Sequence, residues 1–429
     1  MLLCPRDISI SRPIKSCITA IMGLSISLSA SALTVSDDFQ IDGFARVIAG
    51  YLDGADDHYF NGYNDEVTLQ QESLFALQPT YSFNDSVSFT GQFIARSDDD
   101  SDSGTEWFYL SYQPDSAWHF RAGKLRMPFF SYSDSLDVGY SYPWITPPSQ
   151  IYRYYLFSTF KGVSGSYNVA TQQLAINIEA YYGYYHGDIR YAGASFDVDG
   201  QIDNLRGLVL RLQKDNAGLR VSYHTGNNRS TLYELVGLER ALREAGFDAS
   251  ARSVDSHGAV NYLEAALTYD TLSSFYKAEW VHTSSDFQAA PELTGYYLNA
   301  GYIFGDWTLH GTYSSYHYSD TSAETELQDL LNSGAVPDTS PAYAQLSNLS
   351  YGYNLLFSAV PDGSLDSYTI GLRWDFAVNM ALKADVTYVE ETAPRSGFFT
   401  DPSTILYTEG SVTKKYDAML YQMGWEWIF

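Results

Sequence analysis

The chain has 429 residues and a formal net charge of −26, with only 18% charged but 16% aromatic residues, among them 37 Tyr and 23 Phe. So large an acidic excess excludes a nucleic-acid partner held through phosphate contacts. After Leu33 no run reaches the ~20 apolar residues of a transmembrane helix, which leaves crossing a bilayer by strands open.

In chain order, the first segment reads as an address. Arg6, Arg12 and Lys15 precede an apolar run from Ile18 to Leu28, and Ala30-Ser31-Ala32 is a small-residue cleavage pattern, so residues 1–32 are expected to be a secretory signal. Both cysteines, Cys4 and Cys17, lie in it, and no disulfide or thiol chemistry is expected in the mature chain. Removing its three basic and one acidic residues from the totals of 25 and 51 leaves 22 and 50, a net charge of −28.

From Phe39 onward, short segments alternate apolar and polar residues. Strand one is expected over Phe39 to Tyr51, with Ala45, Val47 and Tyr51 on one face and Gln40, Asp42 and Arg46 on the other. Phe75 to Phe83 and Val87 to Arg96 form a hairpin about Asn84-Asp85-Ser86, and Glu106 to Gln113 and Ala117 to Leu125 form one about Pro114-Asp115-Ser116. Further pairs follow at Phe160 to Val169 and Leu174 to Tyr184, Leu208 to Leu212 and Leu219 to His224, and Ala259 to Tyr269 and Phe275 to His282. Tyr296 to Phe304 then pairs with Trp307 to Tyr313, and Tyr368 to Phe376 with Ala381 to Val389. The sixteenth strand is Tyr416 to Phe429, where Met419, Tyr421, Met423, Trp425, Trp427 and Phe429 take every second place.

The connections alternate in length: every second one is about two to six residues, and the others run from roughly eight to fifty, the asymmetry of an up-and-down barrel in a membrane. The fold expected is therefore all-β, a single transmembrane antiparallel barrel over residues 33–429. At ~10 residues each, sixteen strands need roughly 160 residues. Closure leaves no edge unpaired, and a bore of this size is too wide for side chains to fill. The inward positions are polar throughout, including Gln92, Asn177, Arg220, Lys277, Asn299, Arg373 and Lys383, so water is expected in the lumen. Thr231 to Ala245 and a patch near Glu324 to Leu331 carry helical spacing and read as caps in external loops.

Several blocks carry a family resemblance. Gly424, Trp427 and Phe429 resemble the terminal signature that barrel-insertion machinery reads. The runs GKLRMPF (Gly123 to Phe129), YPWITPP (Tyr142 to Pro148) and DSYTIGLRWDF (Asp366 to Phe376) look like those of the Gram-negative trimeric porins, general-diffusion and phosphate-selective types. The resemblance implies a third external loop, Arg121 to Arg153, folded into the barrel, and a homotrimer in the outer membrane among lipids and lipopolysaccharide. It also implies opposed charges across a constriction. Arg46, Arg96 and Arg121 are read as facing inward, with Lys124 and Arg126 at the base of the insertion and Asp134 and Asp137 within it, against Glu179 and Glu264 from the far side. The alternative is that these charges satisfy one another.

The function expected is passive diffusion of small hydrophilic solutes and ions, with anion selectivity, or a receptor or adhesin role for the loop Tyr313 to Leu365, as alternatives. No enzyme is expected, because His119, His224 and His310 have no spacing that groups a nucleophile with a base. No cofactor or metal is expected either. The Asp98 run fails the calcium-loop pattern, with Ser103 and Tyr109 at its sixth and twelfth positions.

Overall fold

A computed structural model describes residues 33–54, 59–98, 103–152, 157–190, 197–230, 233–288, 292–319, 323–359, 363–400 and 414–429. The expected signal and most of the Asp98 run lie outside these residues. Sixteen strands form the barrel: β1 Phe39–Asp53, β2 Leu74–Asn84, β3 Val87–Arg96, β4 Gly104–Tyr112, β5 Trp118–Arg126, β6 Thr159–Ala170, β7 Ala175–Arg190 and β8 Asp197–Lys214. The second half comprises β9 Ala217–Asn228, β10 Gly258–Asp270, β11 Ser274–Ser285, β12 Leu293–Phe304, β13 Trp307–Tyr318, β14 Ser364–Ala377, β15 Met380–Ala393 and β16 Asp417–Ile428. Each strand pairs antiparallel with the next, and β16 pairs with β1 from Met419↔Asp53 to Ile428↔Phe44, closing the ring.

Local chemistry sets the short turns. Asn84 Oδ1 accepts from the amides of Ser86 and Val87, and Asp115 Oδ1 from those of Ala117 and Trp118, so a side chain shapes the bend before the ladder resumes. The β8–β9 and β14–β15 turns place Asp215 and Asn379 at positive φ (48° and 61°), a conformation short polar side chains tolerate.

Alternation then divides the wall. On β14, Tyr368, Ile370, Leu372, Trp374 and Phe376 are exposed on the outer face, while on β16 Tyr421 and Met423 are exposed and Gln422 and Glu426 buried. The expected strands are present, but most run further, with β7 and β8 reaching well past Tyr184 and back beyond Leu208.

The lumen differs from the expectation of a wholly aqueous bore. Toward the long-loop end an apolar cluster occupies part of it, built from Phe60, Tyr63, Phe129, Trp144, Tyr316 and Phe398 with their neighbours. These rings come mainly from long loops, which periodicity along a strand does not report. The first long loop folds back on β1: Leu52 N donates to Asn64 O, and Tyr63 packs where a Cβ on Gly50 would stand. Tyr59–Phe60 also pairs with Phe399–Thr400 of the last long loop.

Four helices cover this end: α1 Tyr233–Glu244, α2 Asp248–Ser253, α3 Glu326–Asn332 and α4 Pro341–Ala359. The first and third match the helical spacing of the sequence; α2 and α4 were not expected. Rather than packing singly on the wall, they share one apolar core, with Leu242, Phe247, Leu327, Tyr353 and Phe357 buried together. Such a core explains how loops of this length stay ordered, since a lone short helix is marginal in water.

Candidate functional site

The segment between β5 and β6 lies inside the barrel. Pro128, Pro143, Pro147 and Pro148 withhold backbone donors and break any strand, leaving two 3₁₀ turns, Ser133–Ser135 and Gly139–Ser141, and one helical turn, Ser149–Tyr152. Its carbonyls and amides are therefore left for the wall to satisfy. Arg220 of β9 donates to Pro128 O (2.6 Å), and Glu279 of β11 accepts from Ser131 N (2.9 Å) and Tyr152 Oη (2.6 Å). Trp144 Nε1 donates to Thr312 Oγ1 of β13 (2.8 Å), and Ile145 N to Asp385 Oδ2 of β15 (2.7 Å). Lys383 of β15 donates to three loop carbonyls, Gly139, Tyr142 and Trp144, at 2.7–2.8 Å, and also pairs with Glu426 at 2.6 Å. Arg373 of β14 donates to Tyr140 O and Tyr142 O. The loop is thus bolted to the wall from β9 round to β1.

The charged residues expected at the site take three arrangements. Arg46 donates to Ile145 O (2.5 Å) and lies 3.4 Å from both Glu72 and Glu426. Arg96 and Arg126 bridge the same two acids, Glu106 and Asp137, at 2.8–3.2 Å, and Arg126 also donates to Ser133 O. Arg121 pairs with Glu179 (2.6 Å), which Arg211 holds from the other side (3.0 Å). Asp134 is exposed on the loop.

Two expectations are corrected. Glu179 and Glu264 do not oppose the cations across a gap: Glu179 sits two strands from Arg121, and Glu264 is buried against Arg220 and Ser222. The charges satisfy one another because a buried charge without a partner is far costlier than one paired beside it. Lys124 does not face the lumen either. It stands opposite Phe108, exposed on the exterior, as its odd spacing from inward Arg121 requires.

Among loop carboxylates, burial alone would raise Asp137, but Arg126 and Arg96 outweigh it and hold the group below its ordinary range. Burial pushes Glu72 up against the pull of Arg46, with Thr146 Oγ1 donating to it at 2.6 Å. Glu72, Glu106, Glu279 and Asp385 escaped the sequence reading. The last two stood at inward places on recognised strands, where alternation could have found them; Glu72, in a loop, gave no periodic signal. Of the histidines, His310 lies buried 3.4 Å from Asp385, His224 shares a hydrogen bond with Tyr181 Oη, and His119 one with Ser111 Oγ (2.6 Å).

Toward the short-turn end, the β5–β8 sector keeps polar side-chain surface exposed. The side chains of Arg121 and Arg211 keep 23% and 35% exposure there, beside Asn168 and Asn177, which hydrogen-bond to each other.

A closed sixteen-strand barrel, oily outside, polar within and crossed by its third long loop, has the porin class of fold. Solved structures of this class match it along nearly its whole length. The anion-selective porin from Comamonas acidovorans aligns with a TM-score of 0.56 at 11% identity, covering 91% of this chain and 99% of its own. The outer-membrane channel DcaP of Acinetobacter baumannii gives 0.51 at 12% identity over 94% and 100%, and OmpT of Vibrio cholerae 0.52 at 12% over 93% and 100%. No family model and no curated protein matches the sequence.

Proposed function

We propose that this protein is an outer-membrane channel for passive diffusion of small hydrophilic solutes and ions, exported through its first 32 residues and working as a homotrimer. The observation that carries the reading is the polar sector on β5–β8, where Arg121 and Arg211 keep exposed guanidinium surface around the buried carboxylate of Glu179, inside a wall whose other face is apolar. Lumen water beside fixed charge is what a diffusive path requires. Support for the trimer comes from a similar structure described as a trimer form of Vibrio cholerae OmpT.

A preference for anions is favoured by the count on this sector, two guanidinium groups against one carboxylate, and by the likeness to a porin described as anion-selective. Residues Arg46, Arg96, Arg126 and Asp137 serve this reading by fixing the loop, with Arg121 touching the path and buried Glu179 holding Arg121 and Arg211 in place. We read the barrel as a conduit without catalytic chemistry.

Planar-bilayer recording tests both parts. Folded protein is expected to give stepwise currents, with a reversal potential in asymmetric KCl that favours chloride. R121Q/R211Q is expected to shift that potential toward cations. Absence of steps from folded protein overturns the channel reading, and an unmoved reversal potential removes this sector from the path.

A further inference from the structure

Rings and cations meet on one stretch of the lumen wall. Tyr109 of β4 stands opposite Gly123 of β5, and Gly123 opposite Gly162 of β6, so this rung carries one phenol and then two positions without side chains. Each glycine lies where a neighbouring carbonyl, Phe108 O or Tyr182 O, leaves no room for a Cβ. Both are only partly buried, and the result is a strip of bare backbone on the lumen side. The ring of buried Phe160 borders the strip, 3.0 Å from where a Gly162 Cβ would stand. One rung toward the short turns, Arg121 stands opposite Ser164, its guanidinium 5.9 Å from the centre of the Tyr109 ring.

The pairing of phenol with cation recurs around the lumen. Arg373 of β14 packs over the Tyr140 ring at 4.4 Å, and Lys277 of β11 donates to Tyr132 Oη. Both phenols belong to the inward loop and are partly buried. A small inorganic anion draws on the cations alone. A planar ring carrying a carboxylate draws on both groups, stacking on a phenol or a guanidinium plane while its oxygens take guanidinium N–H donors. Glu179 already engages Arg121 (2.6 Å) and Arg211 (3.0 Å), which weakens their hold on an arriving carboxylate. Conduction requires such a weakened hold, because a bound solute must also leave.

We propose that the channel favours aromatic carboxylates, with the ring on the strip between Tyr109 and Phe160 and the carboxylate at Arg121. Arg211, nearer the short turns, offers the next hold along the wall. The proposal rests on the diffusion reading above and narrows its class of solute.

The test is planar-bilayer recording from the folded full-length protein at neutral pH, with potassium chloride on one side and potassium benzoate or cyclohexanecarboxylate on the other. The two acids match in charge and carbon skeleton, so the ratio of their permeabilities reads the flat ring. Benzoate is expected to be favoured about threefold, the weight of one aromatic pair. Y109L is expected to bring the ratio near one and Y109F to keep it, while R121Q/R211Q lowers the permeability of both acids relative to potassium. A wild-type ratio of one overturns the proposal, as does an unchanged ratio in Y109L. Loss of the ratio in Y109F would assign the effect to the hydroxyl and overturn the stacking. Folding is checked by heat-modifiable mobility, and the wild-type ratio decides alone if Y109L does not fold. Chloride steps with a ratio of one would sink this inference and leave the diffusion reading standing, whereas absence of steps from folded protein sinks both.

Discussion

Lys383 shows what a single buried charge does in this lumen. Its ammonium donates to the carbonyls of Gly139, Tyr142 and Trp144 in the proline-rich loop, and it neutralises Glu426. Replacing it by Met removes those donors and leaves Glu426 with Arg46 alone, 3.4 Å away, a loss bounded by the about 3–5 kcal/mol that breaking a buried pair costs. K383M is expected to lower the denaturant midpoint of the folded barrel and expose residues 127–152 to protease, with E426Q restoring part of the loss. Equal protease resistance in K383M and wild type would show that the loop does not depend on this lysine. The two perturbed loop carboxylates act in opposite directions. Asp137 has a depressed pKa, so its contribution is full above the ordinary aspartate value and lost only as pH falls through the lower folded value. Glu72 has a raised one, so its contribution is full below the ordinary glutamate value and is lost as pH rises through the elevated value. Loop protection measured against pH is expected to lose its fall on lowering pH in D137N and its fall on raising pH in E72Q.

At the scale of an element, the inward loop is a piece of backbone held by side chains of other elements. Gly139 marks its closest approach, for a Cβ there would run into the Glu426 carboxylate and crowd the Arg46 guanidinium. G139A is expected to lift the loop from β16 and β1 and give larger, noisier single-channel currents while the barrel stays folded; currents like those of wild type would place the path elsewhere. The strands were readable because lipid on one side and polar contacts on the other impose a period of two, as Tyr368 to Phe376 shows. Helix α4 was missed for a related reason. Its buried stripe through Leu346, Leu349, Tyr353 and Phe357 has helical spacing, but Tyr351, 71% exposed, and Leu355 blur it. The loop partners of Arg46 and Arg96, Glu72 and Asp137, were beyond reach, because pairing across 26 and 41 residues depends on where a loop folds.

For the whole molecule, the helical cap and the barrel are separable in stability. The cap buries its apolar residues among α1–α4 and Phe287, whereas the barrel rests on its own ladder. Replacing residues 323–359 by a short Gly-Ser linker is expected to leave heat-modifiable mobility unchanged and stepwise currents present, with altered gating. Loss of the folded barrel in that variant would show that the cap holds it together.

The β16–β1 seam governs how such a molecule can come into being. Residues 44–53 must wait for residues 419–428 before this side of the strand finds its ladder, so the ring cannot be finished piecemeal as the chain emerges. Until that last zip, two strands offer unsatisfied backbone to whatever is near. Joining the circle is therefore a single late event that both ends of the polypeptide reach together.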